Sequence, residues 1–396
     1  MSTGLTDRQA AFAFAGPISK MAAMKARRVM QPKYVKMLKQ SFTALLLPWF
    51  DANKRPMPWR NTRDPYAIWV SEIMLQQTQV ATVIPYFERF LRRFPTVADL
   101  AAAPLDDVLA LWAGLGYYRR AKHLHNCACT VVNVYGGVFP TDAAALQTLP
   151  GIGRYTAAAI ASIAADQSVA VLDGNVKRVL ARLLAMRVDV SQPTAEARLW
   201  DIAENLVPPA RPGDYNQAMM ELGATVCLPQ KPHCDACPVR SLCRAAAIGR
   251  QHAIPRRRPT RVTPTLHCAA AAIRCGKRWL LVQRPHEGLW NGLWELPTIW
   301  NAPPSGAKAA QKAFCTLLAG KVVKVRPITT LQHQLTHRLI NCTLFTGEMT
   351  AAQAKAQVQA GRGRWVSRAD ELPTSRLTVK LIAAAKDGQK ACRKVV

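Results

Sequence analysis

Leu149-Pro150-Gly151-Ile152-Gly153 is a tight break between two apolar stretches, Thr141 to Thr148 and Tyr155 to Ala165. Pro150 cannot continue a helix. The two glycines leave backbone N–H groups bare at the start of the next helix, where the aligned peptide dipoles favour a phosphate oxygen. Taken alone, a Gly-x-Gly between helices also fits a plain αα-turn. Further on comes Leu172-Asp173-Gly174-Asn175-Val176, a carboxylate on a turn before the Val176 to Leu184 helix. By itself Asp173 reads as a helix N-cap. Around both motifs, from Ser41 to about Arg250, the apolar spacing is helical. Val80, Val83, Ile84, Phe87, Phe90, Leu91 and Phe94 recur at three- and four-residue steps. Pro95, Pro104, Pro140 and Pro208-Pro209 end further segments, so the expectation is an all-α region of about eight to ten helices.

Downstream lies Cys227-x6-Cys234-x2-Cys237-x5-Cys243, with Pro229, Pro232 and Pro238 shaping the turns. Four thiolates this close can wrap one ion or one cluster. Zinc competes physically, because tetrahedral sulfur suits both, although zinc ribbons carry two Cys-x2-Cys knuckles and this stretch has one. The chain has 11 cysteines, an odd number, in 396 residues. No cleavable apolar segment occurs in the first fifty positions, so the cysteines read as metal chemistry in a reducing compartment rather than as a disulfide scaffold.

Lys plus Arg is 53 against 24 Asp plus Glu, a formal charge of +29, while 49% hydrophobic residues supply real cores. Wholesale disorder is excluded. The charge calls for a polyanionic partner, nucleic acid or an anionic membrane surface. No run reaches the roughly 18 apolar residues of a membrane span. Residues 1–38 carry Lys20, Lys25, Arg27, Arg28, Lys33 and Lys36 against Asp7 alone. They read as a disordered basic extension, with a transit peptide or a start at Met21, Met24, Met30 or Met37 as alternatives.

The helical domain is expected over 39–250 and a proline-bounded basic linker, holding Pro255-Arg256-Arg257-Arg258-Pro259, over 251–265. Over 266–390 the periodicity changes to α+β. Leu266 to Ile273 and Trp279 to Gln283 are strands joined at Cys275-Gly276-Lys277, Leu339 to Phe345 is another, and Ala307–Leu318 and Val379–Ala385 are helices.

The cysteine spacing resembles the 4Fe–4S loop of the endonuclease III superfamily of DNA glycosylases, and the Gly-x-Gly turn resembles the helix-hairpin-helix of that superfamily. Met57-Pro58-Trp59-Arg60, Asp64-Pro65-Tyr66, Trp69-Val70-Ser71-Glu72-Ile73-Met74-Leu75-Gln76-Gln77-Thr78-Gln79 and Gly114-Leu115-Gly116-Tyr117-Tyr118 narrow the likeness. From about Leu45 to Ala245 the chain resembles the MutY family of adenine DNA glycosylases. Gly288-Leu289-Trp290-Asn291-Gly292-Leu293-Trp294-Glu295-Leu296-Pro297 is similar to the first loop of that family's C-terminal Nudix-like domain.

The resemblance implies removal of adenine mispaired with 8-oxoguanine or guanine in double-stranded DNA. Asp173 is then the catalytic carboxylate and Glu72 the general acid, Glu72 being otherwise readable as an N-terminal helix acid. An acid working near neutral pH needs a raised pKa, which a partly apolar pocket provides. Tyr155 and Asn175 place the water and Asp173. Trp59, Arg60 and Gln217 line the adenine pocket. Gln77 and Tyr117 lie where the family's wedge enters the duplex, Thr78 and Leu115 are further substrate-binding residues, and Gly151 and Gly153 hold a phosphate. Cys227, Cys234, Cys237 and Cys243 ligate a 4Fe–4S cluster.

Relatives that also cut the backbone attack the sugar with a lysine after the hairpin. Here Tyr155 follows Arg154, which argues for a monofunctional glycosylase and against the alternative, an endonuclease III-like glycosylase-lyase for oxidised pyrimidines. A hydrolytic Nudix helix needs clustered acids for magnesium, and Ala307 to Leu318 has none. Hydrolysis is therefore not expected, and the resemblance implies that the C-terminal domain reads 8-oxoguanine. The family's Phe-Ser-His turn is here Leu335-Thr336-His337, keeping the hydroxyl and imidazole of Thr336 and His337 and putting the intercalating contact at Leu335 in question. The expected assembly is a monomer without membrane contact. Its compartment would be the cytoplasm at the nucleoid in a bacterium, or the nucleus or mitochondrion in a eukaryote.

Overall fold

The computed structural model describes residues 32–256, 263–285, 287–301, 303–318, 324–359, 361 and 363–393. Positions 1–31 of the basic extension and 257–262 of the linker lie outside the described residues. The chain forms two compact units, neither continuous in sequence: residues 1–68, 141–148 and 152–258 in the first, and 69–140, 149–151 and 259–396 in the second.

The first unit is helical. Its helices are α1 (Pro32–Asn53), most of the hairpin α7 (Ala143–Gln147) and α8 (Arg154–Ala165), then α9 (Gly174–Leu183), α10 (Pro193–Leu206), α11 (Pro212–Thr225) and α12 (Arg244–Ala247). α1 starts inside the stretch assigned to the extension. Phe42, Leu46 and Phe50, four residues apart on one face, are fully buried against Val176, Val179 and Leu180 of α9, Leu199 and Leu206 of α10 and Tyr215, Met219 and Leu222 of α11. Removing one such ring would cost roughly 3–5 kcal/mol. The N-terminal helix is thus core to the cysteine-bearing half, which no local pattern announces.

In the second unit, helices α2 (Pro65–Leu75), α3 (Val80–Arg93), α4 (Val97–Ala102), α5 (Leu105–Trp112) and α6 (Arg119–Tyr135) precede the sheet. With these, the described helical region holds twelve α-helices rather than eight to ten. The excess comes from pieces such as α4, α7 and α12, too short to show a period. α4 survives on a capping box in which Thr96 and Asp99 satisfy each other's backbone N–H groups.

The sheet comprises β1 (Thr265–Cys275), β2 (Arg278–Gln283), β3 (Trp294–Glu295), β4 (Thr298–Trp300), β5 (Val325–Gln334), β6 (Leu339–Glu348) and β7 (Arg364–Val366), in the order β3-β2-β1-β6-β5 with β4 on β1 and β7 on β2. β1 and β6 run parallel from Thr265↔Leu339 to Arg274↔Glu348. A central parallel strand must be covered on both faces, and alternation along β1 does this. Cys268, Ala270 and Ala272 face Leu377, Leu381 and Ile382 of α15 (Arg376–Arg393), while Ala269, Ala271 and Ile273 face Ala310 and Phe314 of α13 (Ala307–Leu317). α14 (Ala351–Gln359) and β7 are further elements of this layered α+β arrangement.

Candidate active site

Asp173 caps α9. Its Oδ1 accepts from the Val176 N–H at 2.7 Å and its Oδ2 from Asn175 Nδ2 at 2.9 Å. Burial pushes this carboxyl above its ordinary value, and the bonds from Val176 and Asn175 and the nearby Arg178 charge pull it partly back. Asn175 can approach because position 223 on α11 is glycine: a Cβ there would fall 2.5 Å from the Asn175 Cβ. Arg178, one turn along α9, donates to Asn175 Oδ1 (2.8 Å), Gly223 O (2.7 Å) and Cys227 O (2.7 Å). Arg182, wholly buried, donates to Cys227 Sγ (3.2 Å), Leu228 O (2.7 Å) and Ile254 O (2.9 Å). Neither arginine stood out in the sequence. The available signal was two arginines four apart, one of them among the buried positions of an amphipathic helix.

Cys227, Cys234, Cys237 and Cys243 are half-buried and line one cavity of about 30 Å³ with Arg182 and His233. They do not converge on a single-ion geometry: among the described residues no three His, Cys, Asp or Glu form a group that would hold one metal ion. Burial raises the Cys234 and Cys243 thiols and pushes Cys237 up to about 11. A thiolate-only donor set around a small shared cavity, with a guanidinium directed at one sulfur, fits an iron–sulfur cluster.

The other residues of the first unit divide by role. Tyr155, in the first turn of α8, donates its hydroxyl to Met220 Sδ at 3.1 Å. Gln217 is half-buried on α11. Trp59 is buried in a 3₁₀ turn, Pro58–Arg60. Arg60 is committed elsewhere: with Arg55 it closes on buried Glu221, at 2.8 Å and 2.5 Å, and lies over the Phe50 ring. Burial alone would raise Glu221, but both guanidinium groups hold it below the usual carboxylate range. Lys177, the lysine nearest Asp173 in sequence, is paired with Glu196 at 2.8 Å. At the hairpin, Gly153 caps α8 and is exposed. Gly151 has φ +80°, and a Cβ there would also strike His123.

In the second unit Glu72 is buried on α2, in the last turn of the helix. The macrodipole does not stabilise a carboxylate there, so the reading of Glu72 as an N-terminal helix acid is set aside. Gln77 and Tyr117 are exposed and both left-handed, at φ +57° and +51°, whereas Leu115 is buried. The Tyr117 and Thr336 hydroxyls are hydrogen-bonded at 2.6 Å, Tyr118 OH donates to Thr374 O at 2.7 Å, and Lys122 Nζ to Asn291 O at 2.9 Å. These contacts seat the glycine-rich loop on the sheet around a cavity of about 850 Å³, lined among others by Tyr117, Trp290, His333, Thr336, His337 and Arg376. Leu335 is half-buried against the sheet core rather than projecting freely. His333 was not foreseen: it is buried beside Trp290, its Nδ1 has no hydrogen-bond partner among the described residues, and burial lowers its pKa together with Lys380 and Arg376. α13 carries no acid, and the nearby Glu295 is engaged by Arg284 at 2.8 Å.

Residues 70–205 match the HhH-GPD superfamily of base excision DNA repair proteins, and 268–384 match the NUDIX domain. The adenine DNA glycosylase of Buchnera aphidicola subsp. Acyrthosiphon pisum is 36% identical over 266 residues, 67% of this chain and 76% of that protein. The chain belongs to the adenine DNA glycosylase family. The Rattus norvegicus adenine DNA glycosylase is 44% identical over 345 residues, 74% of this chain, and the chain spans 66% of that relative's length, under two thirds. Among solved structures, a thermostable thymine-DNA glycosylase aligns with 54% of this chain and 98% of its own at a TM-score of 0.50 and 30% identity. Helical glycosylase fold and sheet-bearing Nudix-like domain are thus both family features. No helix among the described residues is long and apolar enough to cross a membrane.

Proposed function

We propose that the chain is a monofunctional adenine DNA glycosylase, acting as a monomer on double-stranded DNA at adenine opposite 8-oxoguanine or guanine. The observation that carries the reading is the Asp173 carboxyl, capped by Val176 and Asn175 and raised by burial, in a chain of this family.

The target adenine leaves the stack at a cost of a few kcal/mol, least at a mismatch. Glu72 delivers a proton to adenine N7 and turns the base into a leaving group. The sugar becomes oxocarbenium-like, and Asp173 stabilises it, as the paired carboxylates of glycosidases do. Tyr155 and Asn175 position Asp173 and the attacking water, and Trp59 and Gln217 contact the base. Arg60 contributes through the Glu221 pair that fixes the Trp59 turn. Gly151 and Gly153 offer N–H groups to a phosphate. Gln77 and Tyr117 serve the wedge, Thr78 and Leu115 are further substrate-binding residues, and Thr336 and His337 read the opposite 8-oxoguanine. Cys227, Cys234, Cys237 and Cys243 would hold a 4Fe–4S cluster, which supplies a fixed, charged scaffold for the loop bearing Lys231, Arg240 and Arg244. The domains follow as extension, glycosylase region, linker and recognition domain.

The test is single-turnover cleavage of duplexes carrying A:8-oxoguanine, A:G and A:T, developed with alkali, for wild type and Asp173→Asn. Breaks that need alkali, are absent from A:T and vanish in the variant are the expected result. Breaks without alkali would point to a lyase, and none at all from cluster-loaded protein would sink the reading.

A further inference from the structure

Arg120, the second residue of α6, has no role in the chemistry above, yet its half-buried guanidinium reaches two separate loops. One terminal nitrogen donates to the carbonyl oxygens of Ile73 (2.8 Å), Met74 (2.9 Å) and Gln76 (2.5 Å), at the end of α2. The other donates to Thr78 Oγ1 (3.2 Å) and Gly116 O (3.1 Å). The same guanidinium lies 5.4 Å from the Trp112 ring centre and 5.3 Å from that of Tyr117.

Gln77 and Tyr117, the exposed residues of these loops, are both held at positive φ. That conformation is strained for any residue that carries a Cβ. Each strained residue directly follows a carbonyl held by Arg120, Gln76 in one loop and Gly116 in the other. Burial lowers the guanidinium to about 10, which leaves it protonated at neutral pH and its bonds charge-assisted. A planar fork spans two acceptor sets in fixed directions, which an ammonium cannot do.

We infer that Arg120 is a positioning residue that presets Gln77 and Tyr117 as a pair, so that selection of an A:8-oxoguanine mismatch over a matched duplex depends on one guanidinium. The inference rests on the adenine glycosylase reading and names a residue behind its selectivity.

The test compares full-length wild type with Arg120→Lys. Equilibrium binding to an A:8-oxoguanine duplex and a fully paired one is measured beside the single-turnover rate at saturating enzyme. The ratio of the two affinities should fall about tenfold, or 1.4 kcal/mol, while the saturating rate changes less than about threefold. Amide exchange in 74–79 and 114–118 should rise together, which loss of one loop alone would not produce. A variant with the wild-type ratio, or one that loses both duplexes equally, overturns the inference while the wild type still releases adenine. A wild type that releases none overturns the adenine reading and the inference with it. Should Arg120→Lys fail to fold, Thr78→Val removes one acceptor of the guanidinium together with the hydroxyl's own 3.3 Å bond to Gln76 O. It should lower the same ratio about threefold, and an unchanged ratio would count against Arg120.

Discussion

Asp173 and Tyr117 are each fixed by hydrogen bonds, but over opposite ranges of sequence. The partners of Asp173 are Asn175 and Val176, two and three positions away. The partner of Tyr117 is Thr336, 219 positions away on the turn between β5 and β6. Local fixation makes the hydrogen bonds of the Asp173 carboxyl a property of one helix start, with the space left by Gly223 as their one distant requirement. Fixation at long range makes the Tyr117–Thr336 pair a property of the assembled second unit. Chemistry should therefore be robust to distant change, and base reading sensitive to it.

The largest effect expected is at the local end. Asp173→Asn keeps an N-cap acceptor but removes the charge, so the rate of adenine release should drop about a thousandfold with no change in melting. Asp173→Ala should lose the same rate and also about 1 kcal/mol of stability, the value of the cap. If both variants retained the rate and only Asp173→Ala melted lower, capping would be the whole of Asp173's role.

Glu221 is also fixed at long range, since its partners Arg55 and Arg60 lie 166 and 161 positions back. Glu221→Gln leaves a mostly buried Arg60 without its counter-charge and should cost roughly 3 kcal/mol, read by denaturant unfolding. Its carboxyl is held below the usual range, so the stabilisation is present at neutral pH and is lost as pH falls through the folded-state value. The variant should accordingly show a flatter loss of stability on acidification than the wild type.

What could be read from the sequence follows the same division. The hairpin turn, Asp173-Gly174-Asn175 and the four cysteines are contiguous or nearly so, and their residue types state their chemistry. Strand β1 was legible in spite of four consecutive alanines, because the hairpin at Gly276-Lys277 and the flanking apolar residues frame it. Not legible were the packing of α1 on α9 to α11, the capture of Arg60 by Glu221, and the arginines Arg178, Arg182 and Arg120. In the first case an apolar face meets partners far along the chain, and in the others a guanidinium meets a backbone carbonyl, a sulfur or a carboxylate, for which it carries no positional code. Glu72 shows the smaller error of placement. Its motif was plain, but its position in the last turn of α2 depended on a helix start at Pro65.

A pH profile tests whether Asp173 is tuned as locally as its contacts suggest. In the proposed mechanism the ionised carboxyl is the working form, so the rate should fall as pH drops through its pKa. Burial places that acid limb above the ordinary 3.8 of an aspartate. Asn175→Leu deletes a hydrogen bond that favours the charged form, and the limb should move to higher pH. A limb left in place would mean that Asn175 does not tune the carboxyl.

The smallest effect expected is the most informative about the long-range end. Tyr117→Phe and Thr336→Val each delete one hydroxyl of the same 2.6 Å contact and leave ring and methyl packing in place. Each should reduce the preference for A:8-oxoguanine over A:G about fivefold, within the range of one hydrogen bond. If the two hydroxyls act as one reading element, the double variant will be no worse than the poorer single. If each reads the duplex by itself, the losses will multiply, and the contact between them will be incidental to selectivity. Because Thr336 is exposed on its turn and Tyr117 projects from a loop held at positive φ, neither change disturbs a core. Equal melting of all four proteins is therefore the control that assigns any difference to reading rather than to folding.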